Sequence, residues 1–175
     1  YPIVMKINLN KIHHKTEIKG VLTNISSKEQ AKKSVEHISK LSKEILIEKM
    51  ILDKVAEIIV GIKIDSQFGP VIVIGSGGIY TELIDDSITL LPPLNKNIIL
   101  RSINKLKISK LLNGYRNKPK GDIVDLIKTI MNIAKFAEKN ATKLIEADIN
   151  PLIVRKKGKG VIAADALIHY LEEIK

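Results

Sequence analysis

The stretch Asp148–Asp165, DINPLIVRKKGKGVIAAD, decides how the end of the chain folds. Two apolar runs, Leu144–Val154 and Val161–Ala166, flank the basic, glycine-containing turn Arg155–Gly160, which is a hairpin pattern. Folding about the Lys157-Gly158 centre sets Asn150 opposite Asp165, so that an amide oxygen faces a carboxylate. Hard oxygen donors of this kind suit Mg²⁺, which keeps most of its positions for water and phosphate oxygens. Asp148 lies on the same strand face as Asn150 and can join the pair. The alternative at this point is that Asn150-Pro151 only bends the strand and that Asp165 is solvated.

Working outward, Tyr1–Ile7 reads as a buried strand and Asn8–Gly20 as a polar loop. Ser27 followed by Gln30 is a capping-box pattern, with an apolar stripe at helical spacing running to about Lys43. Ile45–Met50 and Val55–Ile64 are β-branched strands separated by Asp53-Lys54. Val71–Ile74, Gly75-Ser76-Gly77-Gly78 and then Ile79–Ile84 read as a strand running into a glycine loop. Beyond Pro92-Pro93 the pattern predicts a helix over Leu94–Leu112 and a second one capped by Asp122, and the tail Leu167–Lys175 is expected to be helical. Strands and helices in mixed order, without regular alternation, define an α+β class, and two lobes meeting at a cleft are expected.

A chain of 175 residues with 45% hydrophobic content can bury one sizeable core or two small ones. No apolar run approaches the length of a membrane span, so no membrane anchor is expected. The absence of cysteine excludes disulfides and thiolate metal sites and agrees with a cytoplasmic location. The formal charge of +10 raises a nucleic-acid reading, yet only Arg101, Arg116 and Arg155 are arginines and aromatics make up 3%. Nucleic-acid surfaces interleave basic and stacking residues, and none is expected here. With no initiator Met or targeting pattern before the Tyr1 strand, the chain reads as part of something longer.

Several other residues have chemical potential. Lys6 sits within the apolar strand IVMKI, where its charge needs solvent or a counter-charge such as phosphate. His13 and His14 stand beside Lys15 in a polar loop, where an imidazole would stay accessible. Glu48 and Glu57 lie in strands and can accept hydrogen bonds from a base or a ribose. Glycines let a backbone approach an anion closely, although Gly75–Gly78 matches neither the P-loop nor the dinucleotide fingerprint.

Taken together, the chain resembles the ATP-grasp domain of ADP-forming acyl-CoA synthetases, relatives of the succinyl-CoA synthetase β subunit, from Tyr1 to about Ile168. The resemblance rests on YPIVMKI with His14-Lys15-Thr16-Glu17 and Lys19-Gly20-Val21, on DSQFGPV (65–71) with Gly77-Gly78-Ile79-Tyr80, on LNGYR (112–116), and on DINPL (148–152) with Asp165. It departs where the family has paired glycines and this chain has Lys19-Gly20, and where the family has glycine and this chain has Asn117.

The resemblance implies an ATP-grasp fold with nucleotide between a partial N-terminal lobe (1–47) and a C-terminal lobe (48–175), the family's domain beginning upstream of Tyr1. Its cofactors would be ATP/ADP and Mg²⁺, the metal held by Asn150 and Asp165. Nucleotide would meet Lys6, Lys15, Gly20, Glu48, Met50, Glu57, Gly77 and Gly78. His14 would take part in a phosphohistidine relay, with Asp148 orienting that region. A CoA-binding α subunit or domain would be the partner. The rival readings are a succinyl-CoA synthetase-type β subunit and a non-catalytic synthetase-like regulatory module of a protein acetyltransferase.

Overall fold

The computed structural model describes residues 1–8, 18–78 and 85–171 and divides the chain into two compact units, Tyr1–Leu52 and Asp53–Lys175. In the first, strands β1 (Ile3–Ile7), β2 (Val21–Ile25) and β3 (Ile45–Lys49) form an antiparallel sheet in the order β2-β1-β3. Because β3 pairs along the whole of β1, all of it belongs to this unit, and the division falls after Leu52 rather than after Ile47. Helix α1 (Lys28–Ile38) supplies Ile38 to a small core with Met5, Ile7 and Ile25. Ser27 caps it by accepting from the Gln30 amide, while the Gln30 side chain reaches back to Ser26. The helix stops at Ile38, short of the expected Lys43. Ser42 then turns inward and exchanges hydrogen bonds with the Glu44 backbone.

Lys19 has φ 56° and Asn117 has φ 63°, so both positions where the resembled family carries glycine keep a left-handed backbone here. Asparagine tolerates that region, whereas lysine gains nothing from it. Lys19→Gly is therefore expected to raise the stability of the first unit by about 1 kcal/mol, read as a shift in its urea midpoint.

The second unit is built on β4 (Lys54–Asp65) and β7 (Leu144–Arg155), the long central strands of a sheet ordered β6-β5-β4-β7-β8, with β5 Gly69–Ser76, β6 Ser87–Leu90 and β8 Val161–Ala163. A further strand, β9 (Ala166–Tyr170), also pairs with β7. It occupies the start of the tail expected to be helical, because the Leu167–Tyr170 run continues the β7 ladder. Along β4, Ala56, Ile58, Val60 and Ile62 alternate inward. They pack with Ile99 and Ile103 of α2 (Lys96–Lys105), Leu112 of α3 (Ser109–Leu112), and Leu126, Ile130, Ala134 and Ala137 of α4 (Ile123–Lys139). The helix expected over Leu94–Leu112 is broken at Leu106, whose backbone is extended. Asp65 accepts from the Gln67 and Phe68 amides and so closes the β4–β5 turn, which accounts structurally for part of the DSQFGP motif. No described helix is long and apolar enough to cross a membrane.

Candidate functional site

The alternating pattern that buries one face of β4 leaves Glu57 and Gly61 on the other, away from α2–α4. On β7, Leu152, Ile153 and Val154 face Ala163, Ile162 and Val161, and Ile149, Asp148 and Ala147 face Ala166, Leu167 and Ile168. The same alignment runs through the gap between β8 and β9, so Asn150 stands opposite Asp165, its N–H donating to the Asp165 carbonyl at 3.2 Å. Toward β4 the ladder slips: Leu152 pairs with Ile58 and Ile149 with Val60, leaving Asn150 and Pro151 against Ile59 alone. A bulge of this kind re-aims side chains beside a sheet.

The glycine loop meets this bulge. Gly77 donates to the Glu57 carbonyl at 2.8 Å, and its Cα lies so close to β4 that a Cβ would fall 2.6 Å from the Ile58 carbonyl carbon. Gly78, at φ 71°, donates its N–H to Asn150 Oδ1 at 3.0 Å. The Glu57 carboxylate rests where a Gly78 side chain would be and also takes Lys54 Nζ at 2.6 Å. Glu57, Gly77, Gly78, Asn150 and Asp165 are thus brought together at one place on the sheet. Asp148, two residues before Asn150 on β7, pairs with Gly61 of β4, where an added Cβ would stand in contact with its Oδ1 at 3.9 Å.

Asn150 and Asp165 fit a small hard cation. The Gly78 amide fixes the orientation of the Asn150 amide, and a carbonyl oxygen so engaged keeps a second lone pair. Among the described residues there is no group of three or more His, Cys, Asp or Glu, and the candidate donors here are one amide oxygen and one carboxylate. That is the pattern of Mg²⁺ rather than of zinc.

The remaining candidates lie in the first unit. Lys6 is 8% exposed and ion-paired with Glu48, one strand across and diagonal to it. Gly20 is buried and its carbonyl accepts from the Ile7 amide. The Met50 amide donates to the Pro2 carbonyl. His14 and Lys15, with His13, lie outside the described residues, as does the run 79–84 after the glycine loop.

Sequence reasoning missed two buried carboxylates that brace the second unit. Asp86 accepts from the Ser76 hydroxyl at 2.6 Å and from the Lys107 and Ile108 amides at 2.7 and 3.1 Å. Asp122, recognised only as a helix cap, also accepts from the Gly158 and Gly160 amides of the hairpin turn at 2.8 and 2.9 Å. Burial works against the charge at both, but the hydrogen bonds outweigh it and hold each carboxyl below its ordinary value. Nothing local in the sequence distinguishes Asp86 from its exposed neighbour Asp85; the signal is the long-range packing itself.

A glycine loop seated against an Asn/Asp hairpin, preceded by a small strand-and-helix unit, is the layout of an ATP-grasp domain, and the model of that domain family matches residues 1–169; the chain belongs to the ATP-grasp family. Within it, the chain is similar to ADP-forming acyl-CoA ligases, among them β subunits of acetate–CoA ligases. It is 31% identical over 177 residues to the β subunit of acetate–CoA ligase II (ADP-forming) of Pyrococcus furiosus, a match covering 96% of this chain and 75% of that one. It is 34% identical over 176 residues to the ADP-forming 4-hydroxybutyrate–CoA ligase of Nitrosopumilus maritimus, covering 96% of this chain but only 25% of that protein. It also spans 25% of a trans-feruloyl-CoA synthase. Among solved structures, an acetyl-coenzyme A synthetase 1 of Candidatus Korarchaeum cryptofilum superposes with a TM-score of 0.82 at 29% identity, covering 98% of this chain and 77% of that one. That protein was crystallised with coenzyme A and Mg-AMPPCP, its phosphohistidine segment pointing towards the nucleotide-binding site.

Proposed function

We propose that this chain is the nucleotide-handling part of an ADP-forming acyl-CoA synthetase, working in the interconversion of acyl-CoA, ADP and phosphate with acid, CoA and ATP. The observation that carries the reading is the Asn150–Asp165 pair, set face to face by the hairpin and oriented by the Gly78 amide. These two side chains would hold Mg²⁺, which when bound supplies neutralisation of phosphate charge. Glu57 and the Gly77-Gly78 backbone would position the nucleotide beside them. Lys6 would meet phosphate oxygens; its pairing with Glu48 keeps a cation in place on a nearly buried strand until an anion shares it. Glu48 and the Met50 main chain would take the base.

His14, with Lys15 beside it, would accept and pass the phosphoryl group: in the ATP-consuming direction its imidazole nitrogen would attack the γ-phosphorus as the bond to the bridging oxygen breaks and ADP leaves, and the phosphoryl group would then pass to a histidine of the partner as the phosphorus–nitrogen bond to His14 breaks. Asp148 would orient that region. A CoA-binding α subunit or domain would supply the acyl chemistry, since the chain corresponds to a quarter of the longer relatives and to most of a β subunit. The P. furiosus β-subunit names agree with a separate partner subunit in some organisms. A cytoplasmic location, where nucleotide and coenzyme A are supplied, completes the reading.

Calorimetric titration of the chain with ADP, with and without Mg²⁺, tests it. Mg²⁺ is expected to tighten binding, and Asp165→Ala to weaken the Mg²⁺-supported affinity by about tenfold or more while the fold is retained. A folded wild-type chain that takes up no ADP in the presence of Mg²⁺, or an Asp165→Ala variant that binds as well as wild type, would overturn the assignment.

A further inference from the structure

Asp86 lies on the helix-covered side of the sheet, and its contacts run from there toward the glycine loop. Its carboxylate takes the Lys107 and Ile108 amides at the break between α2 and α3, and its Oδ2 also takes the Ser76 hydroxyl. Its own carbonyl accepts the Ser76 amide at 3.0 Å. Ser76 is therefore held by side chain and main chain at once. A Cβ on Gly75 would fall 2.6 Å from the same Asp86 carbonyl, so the approach is as close as a glycine allows. Ser76 pairs with Ile58, and the next two residues hand the connection through the sheet: Gly77 to the Glu57 carbonyl, then Gly78 to Asn150 Oδ1.

Resting on the nucleotide-site reading above, we propose that Asp86, with Ser76, is a positioning residue for the Mg²⁺-nucleotide site: it fixes where the Gly78 amide stands and, through it, the aim of the Asn150 amide oxygen. Asp86 touches neither metal nor nucleotide. Ser76 and Asp86 are both buried, at 5% and 8% exposure, so the connection is shielded from water and is not an exchangeable surface contact. A carboxylate suits the post because one group can accept three donors from two separate segments; the neutral amide of asparagine offers a single acceptor oxygen.

Asp122 supplies the control. It is a carboxylate of the same unit with the same burial and a similar set of backbone donors, but its bonds go to the hairpin turn and the start of α4, with none to the glycine loop. The test compares Asp86→Asn, Ser76→Ala and Asp122→Asn in the 175-residue chain. Three quantities are measured: thermal stability, ADP affinity with and without Mg²⁺, and hydrogen exchange of the Gly78 amide by NMR.

Asp86→Asn and Asp122→Asn are both expected to lower the melting temperature. Asp86→Asn, and more mildly Ser76→Ala, is expected to weaken Mg²⁺-supported ADP binding by about 10- to 100-fold, as loss of a group that orients a metal ligand typically does, and by more than Asp122→Asn, which loosens only the tip of the hairpin. The same variants should speed exchange at Gly78 beyond the change that Asp122→Asn produces. Equal losses in Asp86→Asn and Asp122→Asn, or unchanged Gly78 exchange in a folded Asp86→Asn variant, would overturn the proposal. If the wild-type chain binds no ADP, the nucleotide reading falls by itself, and Gly78 exchange still decides whether Asp86 sets the position of that amide.

Discussion

Replacing Gly77 by alanine is expected to destabilise the Asp53–Lys175 unit by about 3 kcal/mol or more, a large effect for a single methyl group. The new Cβ would lie 2.6 Å from the Ile58 carbonyl carbon and 2.9 Å from both the Ile58 oxygen and the Ile59 nitrogen. All three are backbone atoms of the central strand β4, which pairs on both sides and cannot retreat without opening a ladder. Urea denaturation should show a lower midpoint with an unchanged slope. At Gly78 the case differs: a Cβ would strike the end of the Glu57 side chain, which can swing away, but φ 71° would still strain any other residue.

Asp122→Ala should cost about 3 kcal/mol, because three backbone amides, those of Asp125, Gly158 and Gly160, lose a charged acceptor at a buried place. The effect carries a pH signature. The Asp122 carboxyl titrates below its ordinary value of 3.8 in the folded chain, burial being outweighed by the amides of Gly160, Asp125 and Gly158. Its contribution is therefore fully present above the unfolded value and is lost as the pH falls through the lower, folded one. Wild type is expected to lose stability steeply below about pH 4, and Asp122→Ala to lose less over the same range, since it has already forfeited that term. Denaturant midpoints taken across that range would check the sign. A variant with the same acid slope as wild type would show that other carboxylates govern acid unfolding.

The hairpin register was legible in the sequence because a glycine-bearing turn and two apolar runs leave one way of folding that keeps the same faces together. Asn150 and Asp165 could be placed opposite each other from spacing alone. The glycine loop was legible as a loop, but not its seat against Glu57, which depends on β4 and β5 having already paired. The break at Leu106 was not legible: no Gly or Pro marks it, and the Lys107 and Ile108 amides are drawn out by Asp86, which is distant in sequence. The tail was misread for a related reason. Leu167–Tyr170 is too short for periodicity to separate helix from strand, and the unsatisfied edge of β7 settled the matter.

The bond from the Gly78 amide to Asn150 joins residues 72 positions apart, and Glu57 reaches the same place from a third strand. No local segment can form this arrangement alone, so it comes into being only as the sheet closes, late on a route dominated by non-local pairing. If the proposed nucleotide binds here, it is expected to meet groups already tied to three strands, to spend little of its binding energy on ordering them, and to associate at a rate set by encounter.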